Sequence, residues 1–344
     1  MSWLRFLLGR VLGAVLVLGV LSVLIFAATD VLPGDAAGAV AGPDATATER
    51  AQIRAELGLD QPAVQRYLSW VEGVLRGDLG TAFVGGRPVA AVIADRLPAS
   101  LLLAGLALVV MVPLALVLGL LAGMRAGRAA DRVVSTAALI AVGVPEFLTA
   151  TLLVAVFATG LGLLPEVSLV PLGGGPLDDP VVLVLPALTL TLVGLALAAR
   201  LIRASAADVA ASPYVEAARL NGVRGLRLAV RHVLPSAVGP AVQVFAVVVG
   251  GLVGGAVVVE TVFDYPGIGF ELQQAVARRD VPLVQGVALV LAATALGGLL
   301  AGDVVRRLLT DGGQAPRHPP NGRRTAFGGL FPRSPSKLGD RRPS

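Results

Sequence analysis

Few residues in this chain are equipped for chemistry, and the few are unevenly placed. There is no cysteine, and the only histidines are His232 and His318. Thiolate nucleophiles, disulfides and cysteine-based metal sites are therefore excluded, and a histidine-based metal centre has too few ligands. The single lysine, Lys337, lies in S-P-S-K-L-G, and no G-x-x-x-x-G-K-[ST] phosphate loop occurs. Ser22 sits in an apolar run with no base in sequence reach. Two features remain. One is Glu146, which follows Pro145 inside a long apolar stretch; a carboxylate there is costly unless it is protonated, lines water or faces a partner. The other is an arginine-rich island, Y-V-E-A-A-R-L-N-G-V-R-G-L-R-L-A-V-R-H-V-L-P, from Tyr214 to Pro235.

The island has the marks of two short helices. Ser212-Pro213 is an N-cap followed by proline at the first helical position, where its missing N–H costs nothing. Glu216 falls in the first turn, and Asn221-Gly222 is a stop signal, since both tolerate the left-handed conformation. The spacing predicts a helix over Pro213–Asn221, too short to stand without a partner, with Ala217 and Ala218 as a patch of small residues. A second helix is expected over Val223–Val233, with Arg224, Arg227 and Arg231 on one face. That face suits either lipid headgroups or a cytoplasmic partner.

The rest of the chain explains where this island must sit. The 344 residues are 55% hydrophobic and 15% charged, with a mean hydropathy of +0.80. That is an all-α integral membrane protein by composition. A helical crossing needs about 20 apolar residues. Six runs qualify: Val11–Ala28, Leu97–Met124, Val133–Leu164 (broken at Pro145 and Glu146), Val181–Ala199, Val233–Val259 and Val281–Gly302. Glu146 is the one charge these runs contain. The first is read as a retained anchor rather than a cleaved leader, because it is long for a leader's apolar core. With the N-terminus inside, segments 1–10, 125–132, 200–232 and 303–344 hold 20 of the 28 basic residues. Both termini are then cytoplasmic, and the +5 net charge reflects membrane orientation rather than nucleic-acid binding.

This topology divides the chain into a stub and first span (1–28), an external subdomain (29–96), a five-helix core (97–310) and a disordered basic tail (311–344). Within the subdomain, one helix is expected from Glu49 to near Gly58. A second, amphipathic helix has Pro62 near its start.

The residues resemble a known family. Glu216-Ala217-Ala218, then Gly222, then Leu234-Pro235 is similar to the EAA loop of binding-protein-dependent ABC importer permeases. L-P-G-D at Leu32–Asp35, L-G-L-D-Q-P at Leu57–Pro62 and R-G-D-L-G at Arg76–Gly80 resemble the oligopeptide/dipeptide/nickel branch. So do G-R-P-V at Gly86–Val89, R-L-P-A-S at Arg96–Ser100, E-T-V-F-D-Y-P-G-I-G at Glu260–Gly269 and R-R-D-V-P-L-V-Q-G at Arg278–Gly286. Asn221, His232 and Glu146 depart from the pattern.

The resemblance implies a type I ABC importer-like fold with the EAA loop at about 203–232, in a cell inner membrane. It implies a second homologous permease, two cytoplasmic ATPases and an external substrate-binding protein as partners, beside membrane lipid. ATP and Mg would be held by the ATPases, with no cofactor and no catalysis in this chain. ATPase coupling falls to Tyr214, Glu216, Ala217, Ala218, Gly222, Leu234 and Pro235. Glu146 is a candidate for the translocation path. Peptides are the expected substrate class, with nickel chelates or another small solute as the alternative. An ion-coupled secondary transporter using Glu146 is the rival from a different class.

Overall fold

The computed structural model describes residues 3–31, 36–42, 44–170 and 174–312. The L-P-G-D motif at Leu32–Asp35 and the tail from residue 313 onward lie outside the described residues. The first helix, α1 (Trp3–Val31), is apolar on every side and packs lengthwise on the last helix of the chain, leaving most of its surface exposed. A helix with no polar face is suited to lipid rather than water.

A small layer follows: α2 (Ala36–Ala41), α3 (Ala47–Glu56) and α4 (Ala63–Leu75). The α3 start is fixed by a capping box, in which Glu49 N–H donates to Thr46 Oγ1 and Thr46 N–H donates to Glu49 Oε2 at 2.7 Å. The helix therefore begins two residues before Glu49, the position expected from sequence. Its neighbour α4 seats Tyr67 and Trp70 around Phe26 of α1, and Tyr67 and Ser22 share a hydroxyl hydrogen bond of 3.0 Å.

The long helix α5 (Val89–Gly123) begins eight residues before Leu97, so the end of the expected external subdomain is already helical. It runs against α8 (Val184–Ala210), which extends past Ala199 to include Arg200 and Arg203. Small residues set how close these two come. A Cβ on Gly119 would lie 2.6 Å from the Ile202 side chain, and one on Gly123 would lie 2.7 Å from Ala206. In lipid, where the hydrophobic effect between helices is absent, such approach supplies the attraction by van der Waals contact.

Between them lie α6 (Ala129–Gly143) and α7 (Glu146–Leu153, continued by a π-helical stretch Val154–Gly160). These two are bent from one another by 104°. The expected third span is thus two half-helices. Pro145 explains the break: its ring disfavours helical geometry at Val144, which is extended, and it starts the next helix.

After the short α9 (Pro213–Leu220) and α10 (Gly225–Leu228), α11 (Leu234–Val262) packs on α8 and on α13 (Val281–Gly312). Helix α12 (Ile268–Arg278) lies between α11 and α13. The main core gathers Leu103, Ala107 and Met111 of α5, Leu190 and Ile202 of α8, and Val248, Leu252 and Val259 of α11. Among the described residues five helices are long and apolar enough to cross a membrane, and the bent α6–α7 pair meets the same length and composition test when taken together. Among the described residues no strand occurs, only an isolated bridge between Thr81 and Pro88.

Candidate coupling loop and buried carboxylates

Helix α9 forms as its sequence requires. Ser212 Oγ accepts from Val215 N–H, Pro213 occupies the first helical position, and Asn221 caps the C-terminus. The end is closed by Gly222, whose φ of +83° is left-handed, while Val223 N–H reaches back to the Ala218 carbonyl at 3.0 Å. A Cβ on Gly222 would meet nothing within 4 Å, so the backbone angle alone demands glycine there.

The helix has an inner and an outer side. Val215 and Ala218 are buried and cluster with Ala206, Leu228 and Val233. Tyr214, Glu216, Ala217, Arg219 and Leu220 point outward and are exposed. Ala217 and Ala218 therefore do not form one small-residue patch. Ala218 packs inside this chain, and Ala217 alone stands open to a partner. Tyr214 also turns back: its hydroxyl and His232 Nδ1 are hydrogen-bonded at 2.9 Å. His232, a departure from the family pattern, thus ties α9 to the chain leading into α11.

The second expected helix differs in form. Arg224 is extended and precedes α10, so it does not share a helical face with Arg227 and Arg231. From Gly225 the helix runs through a π-helical stretch, Ala229–Val233, directly into α11. Pro235 explains the widened turn, since it has no N–H to donate to the preceding turn. Leu234-Pro235 thus opens α11 at the junction of loop and span.

Just before the loop, Arg203 of α8 donates two hydrogen bonds to Asp131 of α6, at 2.7 and 2.6 Å. Asp131 also accepts from Gly127 N–H at 2.8 Å and from the Ser135 hydroxyl. This fork-to-carboxylate geometry fixes the start of α6 to the end of α8. The pair went unread in the sequence, where Asp131 is one acid among the arginines of a short loop.

Glu146 opens α7, where a carboxylate favours the helix dipole. It is half-buried and lies against α11: a Cβ on Gly255 would fall 2.9 Å from Oε1. Among the described residues its carboxylate has no hydrogen-bond partner. Nor is Glu146 the one charge of the spans. Helix α11 runs three residues beyond Val259 and carries Glu260, which is fully buried. Glu260 Oε2 accepts from the N–H groups of Gly269 at 2.7 Å and Phe270 at 3.2 Å, holding the start of α12. Gly267 and Gly269 make room for it, since a Cβ at either would lie within 3 Å of its carboxylate. Tyr265, also buried, donates to the Ala99 carbonyl at 2.8 Å. The E-T-V-F-D-Y-P-G-I-G motif is therefore one packed unit, legible in the Glu260–Gly267–Gly269 spacing once its carboxylate is placed inside.

Asp280 plays a similar part. It accepts from Phe83 N–H at 3.0 Å and Val84 N–H at 2.8 Å, joining the loop before α5 to the start of α13. Among the described residues no group of three or more metal-binding side chains is found.

Comparison with known proteins accords with this architecture. The family model for the binding-protein-dependent transport system inner membrane component matches residues 115–312, and its N-terminal companion matches residues 3–104. The chain is 36% identical over 282 residues to a glutathione transport system permease protein of Escherichia coli O6:H1, covering 82% of this chain and 90% of that one. It is 36% identical over 285 residues to a putative peptide transport system permease protein of Brucella abortus, covering 83% and 91%. Several apolar membrane-length helices, ordered motifs along the chain and matches over most of its length agree: the chain belongs to the binding-protein-dependent transport system inner membrane components, as a multi-pass inner-membrane permease of the type I ABC importer fold and the peptide branch.

Proposed function

We propose that this chain forms half of the translocation path of an ATP-driven peptide importer and receives the power stroke through α9. The observation that carries the coupling is the two-sided helix. Its inner residues, Val215 and Ala218, are pinned in this chain's own packing, while Tyr214, Glu216, Ala217 and Leu220 stand outward. A helix of two turns is stable only when held, so a force applied outside is passed inward through Val215 and Ala218. Leu234-Pro235 then carries it into α11.

The remaining partners follow from the family. A second homologous permease completes the path, two cytoplasmic ATPases hold ATP and Mg, and an external binding protein delivers substrate. The loop and both termini face the cytoplasm. Peptides are the substrate class, in keeping with what the relatives are named for. Glu146 lines the path at the α6–α7 break, since its carboxylate is half-buried, has no partner among the described residues and is set against α11.

The absence of cysteine makes a direct test simple. Ala217→Cys should crosslink through a short bifunctional reagent to a co-expressed ATPase subunit. Leu75→Cys, on the far side of the molecule, should not. Equal crosslinking at both, or none at Ala217, would remove the coupling assignment.

A further inference from the structure

Beside α9 lies a cleft of about 720 Å³. It is walled by the ends of α5 and α8, the turn between α5 and α6, and the α9–α10 segment. Four arginines line it: Arg125, Arg128, Arg219 and Arg224. No acidic residue is among its lining. Elsewhere the chain pairs its arginines readily. Arg10 meets Asp303, Arg66 meets Asp30, Arg76 meets Glu72, Arg96 meets Glu271 and Arg203 meets Asp131. The four cleft arginines have no carboxylate within ion-pair distance among the described residues. Four guanidinium groups around one cavity repel each other unless an anion enters, and the forked donors of arginine match phosphate oxygens.

The position of the cleft identifies which anion. It sits where two membrane-crossing helices end, so lipid headgroups are its immediate neighbours. Met124, Val223 and Leu228 line it beside the arginines, giving the cleft an apolar wall. Arginines over a cavity of headgroup size, with an apolar wall beside them, are complementary to a phosphodiester attached to acyl chains. We propose that this cleft binds the headgroup of an anionic phospholipid, holding the α5–α6 turn to the coupling loop. Glu216 and Ala217, one turn earlier on α9, are not part of its lining and remain open to the ATPase.

The test uses the full chain purified in mild detergent, independently of its sidedness, with ATPase co-purification recorded separately. Dioleoyl phosphatidylglycerol and dioleoyl phosphatidylcholine are added separately, with bound lipid read by native mass spectrometry and thermal unfolding followed in parallel. The expected result is selective retention of phosphatidylglycerol with a raised unfolding midpoint, both falling to the phosphatidylcholine level in Arg125→Gln/Arg128→Gln. Arg278→Gln, at the other end of the molecule, should behave as wild type. If the double variant does not fold, Arg224→Gln alone decides by the same readings. Equal retention by wild type and variant would overturn the site. Full stabilisation by inorganic phosphate, with no added effect of the lipid, would overturn the lipid as its occupant. Loss of ATPase co-purification in the double variant with lipid retention unchanged would show that the cleft faces protein instead. Failure of the Ala217 crosslink would leave this result untouched, so the two assignments fall separately.

Discussion

Glu146 and Glu260 show how differently two carboxylates in apolar surroundings can be used. Glu260 is enclosed and hydrogen-bonded to the first turn of α12, and the glycines around it are spaced to admit its carboxyl group. Its role is structural. Gly267→Ala places a methyl 2.3 Å from the Glu260 carboxyl carbon, and overpacking of this kind costs about 1–3 kcal/mol. Lowered thermal stability of the purified protein is the expected outcome; an unchanged unfolding midpoint would show that Glu260 moves aside freely. Glu146 has no such support. Placing a charge at mid-membrane costs about 3 kcal/mol on insertion scales, so a side chain kept in an apolar span with no partner among the described residues points to transport or to contact with another subunit. Glu146→Gln should leave assembly intact and change uptake kinetics, including their pH dependence, measured in proteoliposomes. Uptake unchanged across the pH range would remove it from the path.

At the scale of elements, the sequence conveyed some boundaries and concealed others for physical reasons. The start of α9 was legible because Ser212-Pro213 and Glu216 act locally, within one turn. Its end at Asn221-Gly222 was legible for the same reason. The start of α5 and the ends of α8 and α11 were not, because each helix extends beyond its apolar run into residues whose helicity depends on packing. Glu260 was hidden by that very effect, three residues beyond the last valine of the run. Arg224 was misplaced on a helix because its extended geometry is set by left-handed Gly222 and Gly225 on either side, not by periodicity. The Asp131–Arg203 pair spans 72 positions and left no local signal. It makes a prediction of its own. Asp131→Asn removes the charged acceptor of two short hydrogen bonds and should cost about 1.5–3 kcal/mol, read as a lower unfolding midpoint. Arg203→Lys should not preserve the wild-type midpoint, because an ammonium cannot reproduce the two-pronged contact. Full stability in Arg203→Lys would mean that charge alone joins α6 to α8.

For the whole molecule, the topology proposed above sets the polar loop on one side of the membrane helices and the small helical layer on the other. Sidedness can be measured because the chain has no cysteine to remove. Cysteines at the exposed positions Leu75 and Leu177 should react with a membrane-impermeant reagent applied outside intact cells. Those at Leu226 and Leu309, also exposed, should react only after the membrane is opened. Any reversal would break the topology. The central claim, that α9 transmits the work of an ATPase, is tested most directly by comparing three variants for ATPase co-purification and for substrate-stimulated hydrolysis and uptake. Gly222→Ala forces a side chain into a left-handed angle, at a cost of about 1 kcal/mol, and re-aims the helix without meeting any neighbour. Glu216→Lys reverses the charge on the outward face. Arg227→Gln removes one exposed arginine from α10 and leaves α9 unaltered. The account predicts that all three reach the membrane, that the Glu216 and Gly222 variants lose stimulated hydrolysis and uptake, and that the Arg227 variant retains both. Loss confined to Arg227→Gln, with the other two silent, would contradict it.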